Sequence, residues 1–274
     1  MAYEISEDIK EEYKKDEYKF LRFKLSQWRN IQRIRKIIRI FKKPFYKKKT
    51  NVNYENFLNL NISDYDKIRK FYQTNSFCFI QNIFDQNFYQ NLIKNLPSKE
   101  FFVPPRHVSK QYNFGFKWVS DDPVFKEVDF YHFDEIRFLY HKLKNNDFSI
   151  WLSKFLNTGQ KHNLKLYSFI ASLAEENSIL FCHKDSISNM KEKTSLEKKE
   201  SAINMIFFIK GKDNEENSGA TGIYETNNFT KPIFVPKVLN NSLLIYKSDA
   251  NFFHGFDKMK KNSYRFTINT QFAA

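Results

Sequence analysis

Cysteine is scarce. Cys78 and Cys182 are the two in 274 residues, too few and too far apart for a disulfide-rich or structural-zinc framework. A reducing compartment is therefore expected, with an isolated pair between them left open. The chain has no run of eighteen apolar residues and its first residues are acidic and polar. Neither a membrane span nor a secretory signal is expected, and the predicted location is the cytoplasm. A phosphate-binding loop is missing, and so are helical patterns between the apolar runs of the back half, which excludes a Rossmann-type sheet with its helical crossovers. No internal repeat occurs. From Arg22 to Lys49 the sequence holds no Asp or Glu at all.

That last gap explains the charge. The formal net charge is +14, and twelve Lys or Arg residues between Arg22 and Lys49 supply most of it, which leaves the remainder near balance. Basicity thus belongs to one segment and says little about a catalytic site. Leu21, Leu25, Trp28, Ile31, Ile34, Ile38 and Phe41 recur at intervals of three and four, the spacing of one helical face, and Pro44 with the lysine run to Lys49 ends it. A basic amphipathic helix from Phe20 to Phe41, within the basic segment 20–49, suits packing on a core with a solvated basic back, the preferred reading. It also suits an anionic membrane surface, to which the protein would be peripheral, or a protein partner; nucleic acid is the least favoured. The acidic stretch from Glu4 to Glu17 would shield it in part.

Length favours one catalytic domain with an extension over two equal domains. Residues 1–50 form the acidic-then-basic extension, 51–163 a helical support with some strands, and 164–274 a β-rich core, with 51–274 making one domain. In the support, Asp64 or Asp66 is predicted to open a helix through Phe71, and Asp85 to cap one running to Leu96 before Pro97. Tyr112 to Val119 reads as a strand. Phe133 to Lys144 and Phe148 to Leu156 read as helices, separated by Asn145-Asn146-Asp147. From Leu164 onward short apolar runs alternate with turns: 164–171, 179–182, 203–209, 222–224, 233–235, 243–246 and 264–270. That density of short strands predicts a sandwich or barrel.

The chemistry lies in this back half. His183-Lys184-Asp185 followed by the distant His254-Gly255 offers one metal two imidazoles and a carboxylate, a facial set that suits Fe(II) and leaves positions open for an oxidant and an organic ligand. His183 and Asp185, two apart, emerge on one face if their strand extends through them, and Cys182 then points to the opposite face. Taken singly, Asp185 reads as a turn residue and His254 as a histidine at the edge of the core. His132, His141 and His162 form no tight pair with another ligand residue and are read as exposed or hydrogen-bonded.

With Arg265 added, the ordered set resembles the 2-oxoglutarate and Fe(II)-dependent dioxygenases. Phe181 to Asp185 resembles their first ligand segment, Gly219 to Tyr224 the stretch after a middle strand, Asn251 to Phe256 the second ligand segment, and Tyr264 to Thr267 the co-substrate anchor. The resemblance spans about 164–272. It implies a mainly β fold with a helical N-terminal half and a double-stranded β-helix core of jelly-roll, cupin-like type. It also implies Fe(II) on His183, Asp185 and His254, with O2 and 2-oxoglutarate as co-substrates. Arg265 would pair through its planar fork with the distal carboxylate of 2-oxoglutarate. Thr267 would add a hydroxyl, and Tyr167 and Asn204 are further candidates for that contact. A retained Asp185 favours hydroxylation over halogenation. Arg106, His107, Lys110 and Trp118 are candidates for a substrate wall, and the polar insertion 186–201 reads as a solvated lid or an anion-recognising loop. The implied activity is hydroxylation of a small-molecule or biosynthetic intermediate with release of succinate and CO2. The alternatives are a protein or nucleic-acid hydroxylase or demethylase, and a non-catalytic jelly-roll binding protein.

Overall fold

A computed structural model describes residues 52–59, 65–97, 112–117, 133–156, 164–184, 202–212, 218–248 and 250–273, with the side chains of 112–117, Tyr167, Ala202 and Ala273 left aside. The basic segment 20–49, Asp185, and Arg106, His107, Lys110 and Trp118 lie outside the described residues.

The support begins with α1 (Tyr65–Asn75), β1 (Phe77–Gln81) and α2 (Gln86–Lys94). Asp85 caps α2, its Oδ1 accepting from the backbone N–H of Asn87 and of Phe88. This satisfies donors that have no partner within the first turn. After β2 (Tyr112–Lys117) come α3 (Asp134–Lys144) and α4 (Asn146–Leu156). The break between these two helices is narrower than the three polar residues suggest, because Asn146 and Asp147 already belong to α4. The strands β3 (Lys165–Glu175), β4 (Leu180–His183), β5 (Ala202–Gly211), β6 (Gly222–Tyr224), β7 (Pro232–Phe234), β8 (Ser242–Lys247), β9 (Phe253–Phe256) and β10 (Tyr264–Ala273) follow. Among the described residues no helix is long and apolar enough to cross a membrane.

The strands form two antiparallel sheets, one in the order β1-β8-β5-β10-β3-β2 and the other β4-β9-β6-β7. This is a double-stranded β-helix with helices laid on one side. Period-two alternation gives the large sheet two different faces. Its outer face carries Cys78, Ile80, Phe169, Ala171, Met205, Phe207, Ile245 and Ile268. These join Phe88, Leu92, Ile136, Leu139 and Leu152 of the helices in one buried cluster. Phe84 stacks on Phe207 with centroids 5.3 Å apart, and Tyr89 donates its hydroxyl hydrogen to the carbonyl of Ile209 at 2.9 Å. The inner face carries Phe77, Ile206, Phe208, Leu244 and Tyr246, which meet Ile223 of the small sheet in a second cluster.

Asn241 welds helix layer to sheet. It adopts φ 47°, accepts from the N–H of Phe84 and donates to the Phe84 carbonyl. A left-handed asparagine ahead of β8 thus fixes where the loop between β1 and α2 lies. Both cysteines are buried and unlinked, so the isolated pair left open above does not form. Burial, with Asp257 nearby, pushes the Cys182 thiol up to about 12.

Candidate metal and co-substrate site

Each histidine of the sequence motif stands on a strand of the small sheet. In the register of β4 with β9, His183 is the partner of His254, and Ile223 of β6 pairs with His254 from the other side. Ile223 belongs to the cluster between the sheets, so this line of residues faces the interior. The two imidazole centroids are 4.2 Å apart with the rings inclined at 53°. Across the interior, the ring of Tyr246 lies 4.9 Å from that of His254.

Glycine permits this approach. A Cβ on Gly255 would meet the carbonyl oxygen of Leu180 at 2.5 Å and the backbone nitrogen of Cys182 at 2.9 Å. Both contacts are with backbone and cannot swing aside. The His-Gly pair is therefore a packing requirement of the β4–β9 seam. Gly255→Ala is expected to destabilise the fold by ~1–3 kcal/mol, the usual range for overpacking, and to weaken metal binding by parting the two rings. A thermal melt and a metal titration of the same variant check this, and an unchanged melting temperature would contradict it.

The tautomer of His183 follows from its neighbour. Nδ1 lies 2.7 Å from the carbonyl oxygen of Phe181, and a carbonyl only accepts, so Nδ1 carries the proton. In the neutral ring Nε2 then holds the lone pair, the tautomer in which a histidine ligates a metal through that nitrogen. Lys184 points elsewhere, its ammonium donating to Asn251 Oδ1 at 2.9 Å and lying over the Phe253 ring. Among the described residues no three His, Cys, Asp or Glu side chains converge as a metal set. The third donor named from the sequence, Asp185, is outside those residues.

Arg265 enters from the opposite sheet. It sits near the start of β10, is 1% exposed, and donates from Nη1 to Thr221 Oγ1 at 2.7 Å. Its guanidinium lies over the Phe256 ring at 4.1 Å and faces Phe208 at 5.8 Å. Phe256 is two residues beyond His254 on the same face of β9, a step of ~7 Å along a strand. Desolvation lowers the Arg265 pKa to about 9, so near neutral pH it remains a cation held in a medium that disfavours cations. Thr267, on the same face of β10, is fully buried, and its Oγ1 has no hydrogen-bond partner among the described residues. A desolvated cation and an orphaned hydroxyl in one interior fit an anionic, oxygen-bearing ligand, which would serve both.

Asn204 lies on the same inner face, its Nδ2 donating to Ser248 Oγ at 2.8 Å and its Oδ1 accepting from Gln271 Nε2 at 2.9 Å. Tyr167 falls at the irregularity in β3 between the register pairs Ser168–Gln271 and Leu166–Phe272. Sequence reading missed Thr221 and Gln271. Thr221 lies inside the Gly219–Tyr224 stretch, but its partner is 44 residues away, a distance that no local pattern spans. Gln271 could have been found by extending the alternation from Arg265 through Thr267 and Asn269.

No protein-family model and no curated protein matches the sequence. Solved structures do match the fold. One is an oxidoreductase of the 2OG-Fe(II) oxygenase family from Burkholderia pseudomallei, with TM-score 0.52 and 10% identity over 80% of this chain and 96% of that one. Another is the non-haem α-ketoglutarate-dependent epimerase SnoN from nogalamycin biosynthesis, with TM-score 0.50 and 10% identity over 77% of this chain and 82% of that one. The likeness is one of fold: this chain has a double-stranded β-helix like that of these two proteins.

Proposed function

We propose that the protein is a 2-oxoglutarate- and Fe(II)-dependent oxygenase that hydroxylates a small molecule or biosynthetic intermediate. The observation that carries this reading is the pairing of His183 with His254, ring centroids 4.2 Å apart, in the same interior as the buried cation Arg265. His183 and His254 would hold the iron with Asp185 as the carboxylate. When bound, iron with 2-oxoglutarate and O2 supplies oxidation of a C–H bond, giving hydroxylated product, succinate and CO2.

The residues of the chain supply placement. The Phe181 carbonyl holds the proton of His183 on Nδ1 and so fixes the ring's direction. Gly255 allows β4 and β9 close enough for both imidazoles to serve one ion. Arg265 binds the distal carboxylate, and Thr267 donates its hydroxyl hydrogen to the same group. Phe208, Phe256 and Ile223 are buried and apolar, so they keep water from the anchor and strengthen its electrostatics. Tyr167 and Asn204 are secondary candidates for co-substrate contact, and Arg106, His107, Lys110 and Trp118 for substrate contact. A cytoplasmic location, and a peripheral membrane or protein contact through residues 20–49, belong to the same proposal.

Succinate formation from 2-oxoglutarate under air, dependent on added Fe(II), tests the reading. Asp185→Ala is expected to reduce it by ~100-fold or more, since even outer partners of metal ligands contribute 10–100-fold. Iron-independent turnover, or full activity in Asp185→Ala, would refute it.

A further inference from the structure

The inner face of the large sheet changes chemistry along one crosswise row. Residues directly opposed in neighbouring strands share a face, and the registers line up Tyr246 of β8, Asn204 of β5, Gln271 of β10 and Ser168 of β3. Tyr246 stands beside the histidine pair, its ring 4.9 Å from that of His254. From there the row passes from aromatic to amide to hydroxyl, next to the apolar Ile206, Phe208 and Leu244. Asn204, Gln271 and Ser168 are 6%, 8% and 7% exposed. Polar side chains so far from water need partners.

They satisfy one another only in part. Gln271 donates from Nε2 to Asn204 Oδ1 at 2.9 Å, and Asn204 donates from Nδ2 to Ser248 Oγ at 2.8 Å. The Asn204 amide is thereby fixed in direction, acceptor toward β10 and donor toward the end of β8. The Ser248 oxygen receives a hydrogen and keeps its own to donate. At the other end, the Gln271 side-chain oxygen accepts nothing among the described residues, and the Ser168 hydroxyl makes no hydrogen bond there either. The row thus offers one committed donor, one acceptor and one hydroxyl that can act as both.

Position separates these groups from the carboxylate anchor. Gln271 is six residues beyond Arg265 on β10, ~20 Å along the strand. His254 meets the row through Tyr246, whereas Phe256, two residues on, meets Arg265. The histidine pair therefore lies between a cationic end and a neutral, hydrogen-bonding end. Gln271 is two strand spacings, ~10 Å, from Tyr246, a span that a small ring compound covers.

We infer that Asn204, Gln271, Ser168 and Ser248 bind the molecule to be hydroxylated, and that this molecule is uncharged and rich in hydroxyl groups, of sugar or cyclitol type. The inference rests on the function proposed above, names its substrate class, and moves Asn204 from the co-substrate to the substrate. A hydroxyl both donates and accepts, so a ring bearing several meets this mixed set with no charge to compensate. An ionised carboxylate or phosphate only accepts, and the row holds no cation from β8 to β3; Lys117 of β2, the register partner of Ser168, is the first beyond it. An apolar substrate would leave the spare donor and acceptors desolvated and unmet. The Tyr246 ring supplies the apolar wall that small-molecule sites combine with a few placed polar groups.

The test is calorimetric titration of the full-length protein, loaded with Ni(II) and 2-oxoglutarate. Methyl α-D-glucopyranoside, methyl α-D-galactopyranoside and myo-inositol are the neutral polyols; D-glucuronate, cyclohexanol and N-acetylproline methylamide are the anionic, largely apolar and peptide alternatives. At least one polyol is expected to bind, more tightly than every alternative. Gln271→Leu and Ser168→Ala should each weaken that polyol by ~5- to 100-fold, the range for leaving a buried polar group unmet, while 2-oxoglutarate affinity stays within about twofold. Deoxy analogues of the bound polyol locate the contact: losing the hydroxyl that meets Ser168 should cost nothing further in Ser168→Ala, a non-additivity that a structural role alone would not give. Melting curves verify folding, and Ser168→Ala, which removes a single oxygen, decides the matter if Gln271→Leu does not fold. Tighter binding of any alternative, no binding of a neutral polyol, unchanged polyol affinity in the variants, or an equal loss for polyol and 2-oxoglutarate overturns the inference alone. Absence of 2-oxoglutarate binding by the unaltered Ni(II) form overturns the proposed function with it.

Discussion

Replacing His254 by alanine is expected to lower Fe(II) affinity by ~100-fold or more and to abolish 2-oxoglutarate turnover, because a direct ligand outweighs the 10–100-fold contributed by outer partners. The expectation has a structural basis beyond the motif. His254 is buried between Tyr246 and His183, with ring centroids at 4.9 Å and 4.2 Å. Its imidazole therefore has few orientations. Truncation also opens a cavity, so His254→Gln, which keeps most of the volume, separates loss of ligation from loss of packing. Equilibrium dialysis with Fe(II) under anaerobic conditions, with circular dichroism to verify the fold, checks both variants. Affinity equal to that of the unaltered chain in either one would remove His254 from the metal site.

The second large effect belongs to Arg265. Arg265→Ala is expected to weaken 2-oxoglutarate binding by ~30- to 1,000-fold, the range for removing one partner of a buried, hydrogen-bonded charge pair. Arg265→Lys should recover little, since a single ammonium cannot reproduce the planar donor edge stacked on Phe256. The sign of the pH dependence follows from burial, which lowers the pKa of this guanidinium to about 9. The diacid needs the cation, so affinity should hold through neutral pH and fall as pH rises through about 9, and the fall should be absent in Arg265→Ala. Ligand-induced thermal stabilisation should disappear in the same variant, because stabilisation scales with affinity at fixed ligand concentration. Calorimetry and melting curves across pH read all of this, and a ligand shift that survives in Arg265→Ala would contradict the assignment.

Legibility differed between the halves of the molecule for a physical reason. The runs read at 222–224, 243–246 and 264–270 are strands within a few residues of their observed limits, because a strand packed on one or both faces must show its apolar residues locally. Asp85 was recognised as a cap since the carboxylate and the amides it receives are neighbours in sequence. The strand Phe77–Gln81 was missed. It follows a helix directly, with only Ser76 between at φ 62°, and its five residues hold no turn signal of their own. The His183 and His254 segments read as candidate ligand motifs, but nothing in them stated that Gly255 is demanded by the backbone of β4.

The amino-acid sequence by itself determined the inventory: which residues can ligate iron or clasp a carboxylate, which faces are apolar, and where short strands replace helices. These are properties of side-chain chemistry and local periodicity, and both are written along the chain. Only the tertiary structure decided the partnerships. It set His183 against His254 through antiparallel register, and Arg265 across the interior onto Phe256 and Thr221. It also buried the Thr267 hydroxyl with no partner among the described residues. Such pairings join residues tens of positions apart, and they depend on how two sheets close over one another, which no stretch of sequence encodes alone.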